Sequence, residues 1–199
     1  MDKEILQHFK KVDPVLYLAY MQLADQGLMT IHVPTDHFSA LCREIIGQQL
    51  STKVARVIFE RFKNLFPKEN ITSTYLMGIK QEALRAIGMS NSKALFLLDL
   101  AQKVENKEIS FVKLQKLDDE GVIRELVQVK GIGPWTAEMF LIFSLGREDI
   151  FSFGDLGLKN VIKKIYGLTN AANADIAKIV IKWSPYKSYA CRILWKSLG

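Results

Sequence analysis

The stretch Leu126-Val127-Gln128-Val129-Lys130-Gly131-Ile132-Gly133-Pro134-Trp135-Thr136-Ala137 decides how this chain is read. Two glycines flanking one apolar residue let the backbone turn sharply, because glycine tolerates φ values that a Cβ forbids. Pro134 then suits the first position of a helix, where its missing N–H costs nothing. Upstream, Val122, Ile123, Leu126, Val127 and Val129 recur at roughly helical spacing behind Asp118 and Asp119, residue types that start helices. Downstream, Met139-Phe140-Leu141-Ile142-Phe143 is apolar almost all round, as a helix inside a core would be. The unit reads as helix, hairpin, helix, and it offers backbone N–H groups at the positive end of the second helix, a favourable seat for a phosphate. No strand pattern precedes it and no Gly-Lys-Ser or Gly-Lys-Thr closes it, which argues against a nucleotide-cradling loop. A plain tight turn between two packed helices is the other meaning that a Gly-x-Gly carries.

Working outward by periodicity and caps gives helices almost throughout. Asp13-Pro14 starts one that runs over about 13–25, Pro34-Thr35 starts another through Ile46, and Ser51 caps a third to about Leu65, ended by Phe66-Pro67. Residues 72–87 read as two short helices, broken at Gly78 and closed by Gly88. A strong amphipathic helix covers about 93–104, a short turn lies at 109–113, and the Asp118 helix follows. Beyond Asp155 the spacing predicts helices at about 156–166, 173–183 and 185–198. Only residues 28–33 alternate as a strand would. The expected fold class is therefore all-α.

Composition narrows the function classes. At 199 residues the chain is long enough for one substantial core or two small lobes. Hydrophobic residues make up 49%, yet no apolar run reaches the roughly 18 residues that a membrane span requires. The start Met1-Asp2-Lys3-Glu4 lacks a signal-peptide core, so the expected location is intracellular, cytoplasmic and nucleoid-associated if the source is bacterial. Two cysteines, Cys42 and Cys191, are too few for a disulfide framework or for an iron–sulfur cluster, which takes about four cysteine ligands. His8, His32 and His37 lack the spacing of zinc ligands. The net charge of +6 permits a polyanionic partner. From Leu156 to the end, eight basic residues (Lys159, Lys163, Lys164, Lys178, Lys182, Lys187, Arg192, Lys196) face one acidic residue, Asp175. They suit phosphate neutralisation, or serve as ordinary solvated helix faces.

The hairpin stretch, followed by Phe151-Ser152-Phe153-Gly154-Asp155-Leu156-Gly157-Leu158-Lys159, resembles the helix-hairpin-helix DNA glycosylase superfamily, and most of all its 3-methyladenine DNA glycosylase II branch. Ile45-Ile46-Gly47-Gln48-Gln49-Leu50-Ser51 and Trp183-Ser184-Pro185-Tyr186-Lys187-Ser188-Tyr189-Ala190 extend the likeness, in the family's order, over about residues 40–196. The resemblance implies two lobes, a middle bundle of about 35–134 and a second lobe of 1–34 plus 135–199, with a cleft between them for the base. It also implies a monofunctional enzyme that everts an alkylated base from double-stranded DNA, hydrolyses its N-glycosidic bond, leaves an abasic site and works as a monomer.

Under that resemblance Asp155 takes the place of the catalytic aspartate. Breaking the bond builds positive charge on the sugar, which a carboxylate stabilises. As a residue preceding a helix, Asp155 also suits an N-cap. An alkylated purine is already cationic and leaves neutral, so no general acid is needed. Electron-rich rings select such a base by cation–π attraction. Trp135 and Tyr186, each behind a proline read as a first helical residue, match the family's aromatic pocket positions; ordinary core packing is the competing role. Met139 stands where the family places a further aromatic ring. Lyase-active relatives carry a lysine at the position of Trp135, which disfavours Schiff-base chemistry here.

For DNA contact the resemblance points to Lys130, Gly131, Ile132, Gly133 and Thr136 at the hairpin, to Gln49 and Ser51, and to the loop Gly88-Met89-Ser90-Asn91-Ser92-Lys93. There Asn91 occupies the wedge position and Met89 is the nearest apolar side chain. Gln48 either reaches the base pocket or ties helix ends together. The backbone carbonyls of Val127, Val129 and Ile132 would hold a monovalent Na+ or K+ ion, and catalysis needs no cofactor. Two alternatives stay open: a noncatalytic helix-hairpin-helix DNA-binding module, and a glycosylase of different preference, for hypoxanthine or ethenoadenine.

Overall fold

The computed structural model describes residues 2–23, 27 and 30–198, and the regular structure among them is all helical. In chain order the helices are α1 (Asp2–Val12), α2 (Pro14–Met21), α3 (His37–Gly47), α4 (Thr52–Lys63), α5 (Ser73–Met77), α6 (Gln81–Ala86) and α7 (Asn91–Glu105). They continue with α8 (Phe111–Leu114), α9 (Asp119–Leu126), α10 (Pro134–Phe143), α11 (Leu156–Ile165), α12 (Asn173–Val180) and α13 (Lys187–Lys196). Side-chain caps set many of the starts. Asp13, Asp36, Ser51, Thr72, Ser90, Ser110, Asp118 and Asp155 each accept a backbone N–H of the first turn that follows, satisfying donors that the helix itself cannot.

The chain divides into two compact units, Pro34–Leu145 and Met1–Val33 with Gly146–Gly199. In the central unit α3 packs on α4, α7 and α10, α5 and α6 pack on α7, and α10 packs on α9. Leu41, Ile45, Phe62, Leu76, Leu97, Leu126 and Phe140 have no exposed surface, and each contributes about 1.5–3 kcal/mol by leaving water. In the terminal unit α1 packs on α2 and on the 3₁₀ turn Ile181–Trp183, while α13 packs on α11 and α2. Ile5, Phe9, Leu16, Leu158, Ile162, Ile176, Trp183 and Tyr189 form its core.

One buried carboxylate joins distant parts of that unit. Asp13 Oδ1 caps α2 through Leu16 N–H at 3.1 Å. Its Oδ2 accepts the Tyr166 hydroxyl at 2.5 Å and the Trp183 indole N–H at 2.8 Å. A buried carboxylate is costly unless hydrogen-bonded, and three donors meet that need. Burial first, and then the charge of Asp13, push the Tyr166 hydroxyl well above its ordinary range and keep it a donor.

Four expectations are corrected. Helix α1 precedes the first helix read from the sequence. Its apolar side chains Ile5 and Phe9 lie one turn apart and are buried. Residues 30–33 form no strand, and 28–29 lie outside the described residues; no second alternating run exists to pair with them. Helix α2 ends at Met21, so the expected helix to about Asp25 stops short, and its last residues 24–25 lie outside the description. The boundary between the units falls after Leu145 rather than at Pro134, because α10 packs on α9 and α3 and stays with the central unit.

Candidate functional site

The hairpin sits between α9 and α10, and α7 is its mount. Asp99 Oδ2 accepts the Lys130 backbone N–H at 2.9 Å, and its Oδ1 lies 3.5 Å from the Lys130 ammonium. Gly131, at φ +79°, lies against the Phe96 ring, where a Cβ would come within 2.0 Å of Phe96 Cδ2. Gln48 donates to the Gly131 carbonyl at 2.9 Å and to Thr136 Oγ1 at 3.1 Å. Lys93 in turn donates to the carbonyls of Ile46 at 2.8 Å and Gln48 at 2.6 Å, closing the end of α3. Lys93, Phe96 and Asp99 follow one another at three-residue intervals, so a single face of α7 carries all three contacts.

Two of the turn's N–H groups are used internally: that of Lys130 by Asp99, and that of Ile132 by the Val129 carbonyl at 3.0 Å. Those of Gly131 and Gly133 have no protein acceptor among the described residues. Gly133, at φ −94°, has nothing within 4 Å of the place its Cβ would take. The turn thus has a packed glycine and an open one.

Several expected contact residues have internal duties instead. The side chains of Ile132 and Thr136 are buried, and the Thr136 hydroxyl accepts from Gln48; any contact these residues make with a strand is through backbone. Gln48 spends its amide donors on the hairpin, which corrects the base-pocket reading in favour of the helix-tying one. Met89 is only 6% exposed and belongs to the core, so it is no wedge. Asn91 is exposed at the start of α7, and its Oδ1 accepts from Gln81 at 2.6 Å. Ser51 caps α4 through Val54 N–H at 3.4 Å. Gln49 is exposed with φ 55°, and Lys130 projects into solvent. Trp135 is 39% exposed in the first turn of α10, while Met139, one turn on, is buried.

Glu44, half-buried on α3, is shifted toward its neutral form: burial raises its pKa, and the Arg43 charge only partly opposes that.

In the terminal unit Asp155 caps α11 and is 8% exposed. Its Oδ1 accepts Leu158 N–H at 2.9 Å, and its Oδ2 accepts the Trp195 indole N–H at 3.2 Å. Trp195 comes from α13, 40 residues away, and no local pattern pointed to it. These two oriented donors, one on each oxygen, help fix the plane of the carboxylate. Around it, Phe151 meets Phe153 edge-on at 4.8 Å, and Leu156 is 69% exposed.

The two glycines flanking Asp155 differ. A Cβ on Gly154 would meet nothing nearer than Ser152 Oγ at 3.9 Å. One on Gly157 would press on Asp155 Oδ1 at 3.1 Å and Leu198 Cδ1 at 3.2 Å. Gly157 therefore gives space to the carboxylate itself, whereas Gly154 leaves the backbone open from outside.

Tyr186 is half-buried, edge-on to His8 at 5.3 Å, and it is the N-cap residue of α13. Pro185, expected at the first helical position, precedes the helix and follows a cis peptide bond from Ser184. Burial, and then the Glu4 carboxylate, raise the Tyr186 hydroxyl and keep it protonated.

Comparison with known proteins agrees with this geometry. The family model described as the HhH-GPD superfamily base excision DNA repair protein matches residues 42–185. A putative DNA-3-methyladenine glycosylase of Bacillus subtilis is 31% identical, over 98% of this chain and 69% of its own length. The crystal structure of a DNA-3-methyladenine glycosidase from Bacillus halodurans superposes with a TM-score of 0.80 at 33% identity, covering 96% of this chain and 87% of that one. The Schizosaccharomyces pombe 3-methyladenine DNA glycosylase, solved in complex with abasic DNA, gives a TM-score of 0.82 at 28% identity, covering 97% and 95%.

Proposed function

This chain belongs to the HhH-GPD superfamily of base excision DNA repair proteins, and from that membership we propose that it is a monofunctional DNA glycosylase of the 3-methyladenine type II class. It everts alkylated bases from double-stranded DNA inside the cell, acts as a monomer, and hydrolyses the N-glycosidic bond. The observation that carries the reading is Asp155, a carboxylate held by the Leu158 and Trp195 N–H groups at the start of α11, between an open Gly154 and an exposed Leu156. Fixed negative charge of this kind stabilises the cationic sugar that forms as the bond breaks, and it orients the attacking water.

An alkylated purine departs neutral, so a single carboxylate suffices. Trp135 and Tyr186 offer ring faces that attract a cationic base, each contributing about 0.5–2 kcal/mol. The amine nearest the hairpin, Lys130, is paired with Asp99, and Trp135 offers none, which supports hydrolysis over strand cleavage. The open N–H groups of Gly131 and Gly133 suit a backbone phosphate.

The hairpin carbonyls also suit a monovalent cation, Na+ or K+. Val127 and Val129 lie at the negative end of α9, where carbonyls lack helical partners. Val129 O, although it accepts from Ile132 N–H at 3.0 Å, keeps a second lone pair. Together with Ile132 O these atoms would hold the ion, which would add positive charge beside the turn.

The test is chromatographic identification of bases freed from methylated and from deaminated DNA, with wild type beside Asp155→Asn. Release of 3-methyladenine by wild type, lost in Asp155→Asn while duplex binding persists, is the expected result. Release of hypoxanthine alone would change the base preference. Strand cleavage trapped by borohydride, or tight binding with no base released by wild type, would overturn the reading, the latter in favour of a noncatalytic DNA-binding module.

A further inference from the structure

Lysines normally keep their ammonium in water, and the partners that Lys93 has instead are unusual. Both are main-chain carbonyl oxygens at one helix terminus, Ile46 O at 2.8 Å and Gln48 O at 2.6 Å. The residue whose carbonyl it holds, Gln48, is the one whose side chain grips the hairpin at Gly131 O and Thr136 Oγ1. Gln48 has left the helix, with φ −49° and ψ 129°. Its backbone orientation, and hence the direction of its amide, therefore depends on what holds its carbonyl. Lys93 donates from the third position past the N-cap Ser90 of α7, next to the Gly88–Ser90 loop. Burial lowers the pKa of its ammonium, as expected where carbonyl dipoles have replaced much of its water.

We propose that Lys93 is a positioning residue for DNA binding: by fastening the end of α3 it sets Gln48, and through Gln48 it holds the Gly131–Gly133 turn in the geometry that receives the strand. The proposal rests on the preceding reading that this turn receives DNA. Lys93 is assigned no contact with the nucleic acid, and that separates it from Lys130 and from the basic residues of the terminal unit.

The assignment has a signature that a phosphate contact does not. A lysine neutralising a phosphate lowers the slope of log affinity against log salt by about one when it is removed. Removing Lys93 should weaken binding at every salt concentration and leave that slope unchanged. The loss should be on the order of tenfold or more, as for a lost charge-assisted hydrogen bond. It should appear in KM rather than kcat, because binding is lost and the reacting groups are not.

Binding of a duplex carrying an abasic-site analogue is measured from low to moderate salt for wild type, Lys93→Met, Gln48→Leu and the double variant. Amide exchange at Lys130 and Ile132, whose N–H groups are bonded within the turn, is followed alongside. The proposal expects parallel salt slopes, faster exchange at the Lys130 and Ile132 amides in Lys93→Met, rescue by Lys93→Arg, and a double variant no weaker than Gln48→Leu alone. A reduced slope, additive losses, or wild-type affinity in Lys93→Met would overturn it. Should Lys93→Met fail to fold, Lys93→Gln, a shorter neutral donor, carries the same comparison. If wild type binds no duplex, it is the proposed function that fails; if wild type binds and Lys93→Met binds equally, only this assignment fails.

Discussion

Alanine placed at Gly131 and alanine placed at Gly133, two residues apart in one turn, should damage the protein in different ways. At Gly131 the new methyl would lie 2.0, 2.3 and 2.4 Å from three atoms of the Phe96 ring, on a backbone at φ +79°. The left-handed conformation costs a non-glycine residue about 1–2 kcal/mol, and forcing a methyl into packed atoms costs about 1–3 kcal/mol more. The loss of about 2–5 kcal/mol is a large part of the roughly 5–15 kcal/mol that holds a domain folded. At Gly133 the methyl meets nothing within 4 Å and φ is −94°. The weaker capping by alanine and the reduced freedom of the unfolded chain nearly offset, leaving a change below about 1 kcal/mol. Urea titration with an unchanged m value measures both stabilities, and anisotropy with an abasic-analogue duplex measures binding. Gly133→Ala should melt like wild type yet bind at least several-fold more weakly, because its methyl takes the open space in front of the turn. In a Phe96→Ala background the cost of Gly131→Ala should fall to the backbone part alone, about 1–2 kcal/mol. Wild-type stability in Gly131→Ala would refute the packing argument, and wild-type affinity in Gly133→Ala would refute the strand seat.

Two further outcomes follow from groups beside and away from this turn. Trp195→Phe removes the donor to Asp155 Oδ2 while keeping an aromatic side chain. Steady-state assays should show kcat reduced about tenfold or more with KM little changed, since a hydrogen bond to a charged group contributes about 1.5–3 kcal/mol and about 1.4 kcal/mol is tenfold in rate; an unchanged kcat would show that the carboxylate is fixed without Trp195. Glu44, its pKa raised by burial, retains a proton in the folded state at pH values where the unfolded chain has released it. Stability should therefore fall as pH rises through and above the carboxylate range. Glu44→Gln should flatten that decline and be the more stable protein at neutral pH, as read by melts across pH.

Local signals in the sequence were reliable where one residue type does one job. Ser51, Asp118 and Asp155 cap the helices they precede, and Gly78 and Gly88 end α5 and α6 at or near the expected places. The hairpin turn was legible for the same reason: its geometry is carried by adjacent residues. What stayed hidden depends on distance along the chain. Trp195 reaches Asp155 across 40 residues, and Gln48 reaches Gly131 across 83; no spacing rule connects such pairs. Met89 reads as an apolar loop tip until packing is known, and Pro185 reads as a helix start until the backbone shows α13 beginning at Lys187. Helix α1 carries its signal in Ile5, Leu6, Phe9 and Val12, scattered through a segment otherwise polar and charged.

The terminal unit is assembled from both ends of the chain, and this bears on how the polypeptide matures during synthesis. The central residues can condense as soon as they leave the ribosome. Ile5, Phe9, Leu16 and Asp13 must wait until Trp183 and the last helix have been made. At about 5–20 residues per second that delay is roughly 10–30 s. Throughout it the first two helices present an unburied greasy face to chaperones and proteases, so this segment of the nascent chain stays vulnerable for longest.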